Sequence, residues 1–97
     1  MTNESFWTEV IKVTNPTLAK QRADLSRQMR LAKKELLVRE GERQKHFVFL
    51  LQGVLRGYFL DINGREITDC IGFQCGTPAM ASILLQEPSI ISIEAVT

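Results

Sequence analysis

Between Leu36 and Glu66 the chain is interrupted by glycine-containing pairs, Glu40-Gly41, Gln52-Gly53 and Asn63-Gly64, at intervals of roughly ten residues. This rhythm leaves room only for short strands joined by tight turns, the pattern of a small antiparallel sandwich or barrel. Asn63-Gly64 predicts a two-residue type I′ turn, because both residues accept positive φ, with Val54–Leu60 and Glu66–Ile71 as the arms of a hairpin. Side chains alternate between the faces of a strand, so Val54, Arg56, Tyr58 and Leu60 share one face and Leu55, Gly57 and Phe59 the other. Phe47–Leu51 is almost wholly apolar and predicts a strand buried on both faces. Leu31–Lys34 and Leu36–Arg39 are read as two further short strands.

Before this region the period is helical. Phe6, Trp7, Val10 and Ile11 form one apolar face over Ser5–Val13, with Glu9 and Lys12 pointing away. Asn15-Pro16 predicts a capped helix start, with Leu18, Ala19, Leu25 and Met29 as a weak apolar stripe through about Gln28. The charges opposite, Lys20, Arg22, Arg27 and Arg30, are interrupted by Asp24 and lack interleaved aromatics, so they read as a solvated face. The organisation expected is a helical segment, 1–32, followed by a β-rich part, 33–97.

At the other end, Thr77 and Pro78 predict a capped helix from Pro78 to about Leu85, stopped by Glu87-Pro88. Ser89 to Thr97 then reads as an apolar strand running off the terminus. Such a strand would expose an edge, so a truncated fold, or a partner covering that edge, is expected. The 97 residues allow only a modest core, and a net charge of +1 neither demands nor excludes nucleic acid. No secretory signal and no run long enough to span a membrane is visible, so a cytoplasmic location is expected. Cys70 and Cys75 are too few for a disulfide framework and read as reduced thiols.

The motifs Leu37-Val38-Arg39-Glu40-Gly41-Glu42, the aromatic-rich strand closed by Gln52-Gly53-Val54-Leu55, and Asp61-Ile62-Asn63-Gly64-Arg65-Glu66 together resemble the effector-binding domain of Crp/Fnr-type transcription regulators. The resemblance runs from Lys33 to Thr97. It implies a mainly β fold with flanking helices: an antiparallel β-roll, or jelly-roll, like a cyclic-nucleotide-binding domain. It also implies a flap at Asn63-Gly64 and a phosphate-binding cassette after Gly76, with Gly76, Thr77, Ala79 and Ser82 around the ligand. A homodimer is implied as well, with DNA bound by a winged helix-turn-helix outside these residues. Cyclic-nucleotide binders of the family place a Glu after the cassette glycine and an Arg on the phosphate. Here Thr77 follows Gly76, and no arginine occurs after Arg65. Losing that charge-assisted contact costs a few kcal/mol, roughly, so cyclic AMP is not the expected effector.

The polar candidates read from the residues are Arg56 and Tyr58, on one strand face, and Arg65, after the hairpin turn. Beside a helix N-terminus they would suit a carboxylate or another small anion. Thr77 and Ser82 add hydroxyls. No catalytic constellation, metal site or cofactor is expected, and His46, the single histidine, reads as structural. The function expected is a sensing domain for an unidentified small molecule. The alternatives are a protein-interaction module without a ligand and a cupin-like enzyme, which one histidine argues against.

Overall fold

The computed structural model describes residues 1–82 and 87–97 and separates them into two units, Met1–Arg30 and Leu31–Thr97. In the first, α1 (Asn3–Ser5) opens with a capping box between Thr2 and Ser5 and continues as a π-helical stretch, Phe6–Val10. Phe6 is buried and its ring meets Trp7 edge to face. Helix α2 (Pro16–Leu25) starts as its sequence demands, with Asn15 Oδ1 accepting the Leu18 N–H at 3.1 Å and Pro16 in the first turn. It ends short of Gln28 because Ser26 turns extended and donates its hydroxyl to the Arg22 carbonyl, while Trp7 Nε1 donates to Ser26 Oγ. The expected apolar stripe is divided: Ala19 is buried, but Leu18, Leu25 and Met29 are exposed.

The second unit is a four-stranded antiparallel sheet, β1 (Leu36–Val38), β2 (Leu55–Leu60), β3 (Glu66–Gly72) and β4 (Ser92–Ala95), in the order β1-β4-β2-β3. The predicted hairpin is present as β2 and β3, but its turn is not type I′. Asp61 Oδ1 accepts the N–H groups of Asn63 and Arg65, and the Asp61 carbonyl accepts the Gly64 N–H. That side-chain turn keeps Asn63 out of the positive-φ region and leaves Gly64 alone at φ +79°. The loop is therefore three residues long, with a glycine bulge, rather than two. A second bulge leaves Asp69 without a partner on β2.

Three other expectations change. Leu31–Lys34 forms a turn, not a strand. Phe47–Leu51 joins no named strand among the described residues; it forms an isolated bridge, Phe49 to Pro78, and Phe47 is 71% exposed, so burial on both faces does not hold. The last strand exposes no edge: β4 lies between β1 and β2, and the Val96 N–H continues the pairing to the Val54 carbonyl. Among the described residues, the edge strands of the sheet are β1 and β3.

The inner face carries the core. Val38, Ile91 and Ile93 pack with Ala79 and Ala81, and Leu37, Val48, Leu55 and Phe59 close around them. Burying each isoleucine contributes about 1.5–3 kcal/mol. No helix among the described residues is long and apolar enough to cross a membrane.

Candidate functional site

Strand alternation assigns the two faces. Opposed residues share a face, so Gly57 sides with Ile93 on β4 and Cys70 on β3, while Arg56 sides with Glu94 and Ile71. Gly57 is glycine for a spatial reason: a Cβ there would lie 2.7 Å from Ile91 Cδ1 and 2.8 Å from Cys70 Sγ. The missing side chain brings the inner face of β2 close to its neighbours.

Opposite this face runs the segment 76–81, held by an extended pairing with 48–50. The Gly76 N–H donates to the Leu50 carbonyl at 2.7 Å, Leu50 N–H to Thr77 at 2.9 Å, and Ala79 N–H to Val48 at 2.8 Å. Gly76 makes the turn into this pairing at φ +94°, a conformation glycine adopts without penalty. Gln44, itself buried, fastens the far end: its Nε2 donates to the Ala79 carbonyl at 2.7 Å and its Oε1 accepts the Ala81 N–H at 3.0 Å.

These constraints correct the expected cassette helix. Residues 78–82 are not helical, because their backbone groups are already paired across to 48–50 and Gln44. The remainder of the predicted helix, 83–85, lies outside the described residues.

Between the sheet and this segment lies a cleft of about 230 Å³. Its lining among the described residues includes Leu50, Leu55, Ile93, Pro78, Ala79 and Met80, together with Cys70 and Thr77. Arg56 also borders it, but its side chain belongs to the other face. There its guanidinium pairs with Glu94 Oε1 at 2.6 Å and with Glu66, donates to Thr68 Oγ1, and lies 4.3 Å from the Tyr58 ring centre. Hydrogen bonds to Glu66, and then to Glu94, raise its pKa further above the ordinary arginine value. One cation thus ties together β4, β2 and β3.

The seven predicted site residues therefore fall into three places. Gly76, Thr77 and Ala79 flank or line the cleft, and Ser82, just beyond, directs its hydroxyl to Glu87 at 3.4 Å. Arg56 and Tyr58 share the outer face. Arg65 is in the hairpin loop, paired with Asp61 at 3.1 Å. Hydrogen bonds from the Arg65 N–H first, and also from the Asn63 N–H and the Arg65 side chain, hold the Asp61 carboxyl below its usual range.

The amides that would face an anion are also occupied. Those of Gly76 and Ala79 bond to 50 and 48, and that of Thr77 bonds to Gln74, whose carbonyl also accepts the Thr77 hydroxyl. Sequence reasoning missed Gln44 and the apolar wall of the cleft. Gly57 was the available signal, since an interior strand glycine marks a close approach. His46 is exposed, and no group of three or more metal-ligating side chains occurs among the described residues. Compared with known proteins, the chain matches no family model, no curated protein and no solved structure.

Proposed function

We propose that residues 31–97 form the effector-sensing part of a Crp/Fnr-type transcription regulator, with the effector in the cleft between the sheet and the segment 76–80. The observation that carries the reading is the cleft itself, at the place where the resemblance puts the effector. The turn glycines and the β2–β3 hairpin support a β-roll of that type. In this reading the protein is a cytoplasmic homodimer and not an enzyme. A winged helix-turn-helix outside these residues binds DNA, and the effector shifts its affinity by binding one conformation better than the other. The test is a DNA titration of the natural polypeptide carrying these residues, with and without a small molecule that stabilises it thermally. A tenfold or larger change in DNA affinity, about 1.4 kcal/mol of coupling, is expected; an unchanged affinity refutes the reading.

A second reading, a protein-interaction module, is favoured by strand β3. It is an edge strand with no further strand beside it among the described residues, its residues Glu66 to Ile71 are all exposed, and Ile71 and the adjacent Phe73 are 60% and 67% exposed. A partner strand could add there by main-chain pairing. Backbone amides of β3 that gain exchange protection with a protein partner, and none with small molecules, would favour this reading over the first.

A further inference from the structure

We infer that the cleft takes a small, uncharged, apolar molecule about the size of a singly substituted benzene, and not an anion. This rests on reading the cleft as the effector site and names the chemistry of what enters it. Three observations carry it.

The first is the wall. Leu50, Leu55, Ile93, Pro78, Ala79 and Met80 offer carbon to any occupant, and an apolar site rejects charge by the cost of desolvation.

The second is the use already made of four amides of the segment and of the nearest guanidinium. The amides of Gly76, Thr77, Ala79 and Ala81 donate to Leu50, Gln74, Val48 and Gln44. The Arg56 guanidinium is on the opposite face between two carboxylates. A carboxylate or phosphate held by those amides would have to break the pairing that keeps the segment in place.

The third is size. Apolar cavities of about 150 Å³ admit benzene, and this cleft, at about 230 Å³, has room for a short substituent. Of the lining side chains, the Cys70 thiol is a weak donor and the Thr77 hydroxyl is already bonded to Gln74. They suit an apolar occupant with at most one neutral polar substituent.

Cys70 reports on the cleft, and Cys75 is an internal control. Both thiols are free and exposed, but only Cys70 borders the cavity. The experiment measures the alkylation rate of each thiol by iodoacetamide, resolved by peptide mass, with ethylbenzene, benzoate or inorganic phosphate present. Ethylbenzene at about ten times its Kd is expected to slow Cys70 roughly tenfold by occupancy and to leave Cys75 unchanged. Benzoate and phosphate are expected to slow neither. Gly72→Val should abolish the protection, since a Cβ there already lies 3.2 Å from Thr77 Cγ2 and a larger side chain narrows the cleft. Should that variant not fold, the comparison of ethylbenzene with benzoate on the native chain decides alone.

Equal slowing of both thiols, no slowing by ethylbenzene at its solubility limit, or slowing of Cys70 by benzoate or phosphate would overturn the inference. The last outcome would leave the cleft as an effector site and remove only the ligand class. Protection of Cys70 by ethylbenzene, with DNA affinity indifferent to it, would keep the ligand class and remove the regulator reading.

Discussion

Gly57→Ala is the smallest change that tests how β2 packs. Gly57 has no positive φ, so alanine meets no backbone penalty, and its higher strand compatibility would by itself favour the variant by about 0.5–1 kcal/mol. The contacts oppose this. The new Cβ would lie 2.7 Å from Ile91 Cδ1 and 2.8 Å from Cys70 Sγ, and Ile91 is held within the core. Cys70, on the exposed edge strand, can rotate away; Ile91 cannot move without disturbing Ile93, Ala79 and Ala81. Overpacking of this kind costs about 1–3 kcal/mol, so a net loss of about 1–2 kcal/mol is expected. For a chain of this length that lowers Tm by about 4–8 °C per kcal/mol. Thermal and urea unfolding measure it. Ile91→Val removes the clashing methyl, at a cost of about 0.5–1.5 kcal/mol alone, and should suppress most of the Gly57→Ala penalty in the double variant. A Gly57→Ala protein as stable as the native chain, or strictly additive losses in the double variant, would refute the packing argument.

Gln44→Leu strips partners from two buried residues, the Ala79 carbonyl and the Ala81 N–H. At about 1–3 kcal/mol per orphaned group, urea unfolding should show a loss of at least about 2 kcal/mol, and an unchanged midpoint would contradict the role given to this amide. Arg56→Leu leaves the largely buried Glu94 carboxylate without its cation. The loss expected is about 1–3 kcal/mol, between the values for exposed and buried pairs, and Arg56→Leu/Glu94→Leu should recover most of it; no recovery would mean that the arginine acts through packing alone. Asp61, whose pKa is depressed in the native loop, stabilises the fold above the ordinary aspartate value of about 3.9, and that contribution is lost as the pH falls through the native value. The Tm gap between the native chain and Asp61→Asn should therefore be constant from about pH 6 to pH 5 and shrink in stronger acid; a gap unchanged into strong acid would refute it.

Local signals were legible where one segment decides its own conformation. The Asn15-Pro16 helix start, the turns at Gly41, Gly53 and Gly64, and the β2–β3 hairpin all follow from residues adjacent in sequence. The errors arose where distant segments compete. Thr77-Pro78 carries a helix-start signal, yet 48–50 and Gln44 take the backbone groups that a helix would use. Phe47–Leu51 reads as doubly buried by composition, but its partner is the short segment 76–79 and Phe47 stays exposed. The terminal strand looked like an open edge because nothing local announces that β1 and β2 will flank it.

The site shows the same division. Period-two alternation already set Arg56 and Tyr58 opposite Gly57. What it could not tell was which face would be the inner one, and choosing candidates by polarity favoured the outer face. The apolar wall depends on Leu50, Ala79 and Ile93, which come from three separate parts of the sequence and carry no motif between them.

Methyl-resolved NMR of the chain, titrated in turn with ethylbenzene and cyclic AMP, separates an apolar effector cleft from an anion site. An apolar cleft gives saturable shifts at the methyl groups of Leu50, Leu55, Met80 and Ile93 with ethylbenzene, and none there or at the amides of Gly76, Thr77 and Ala79 with cyclic AMP. Shifts of those three amides with cyclic AMP, with the cleft methyls silent to ethylbenzene, would contradict it.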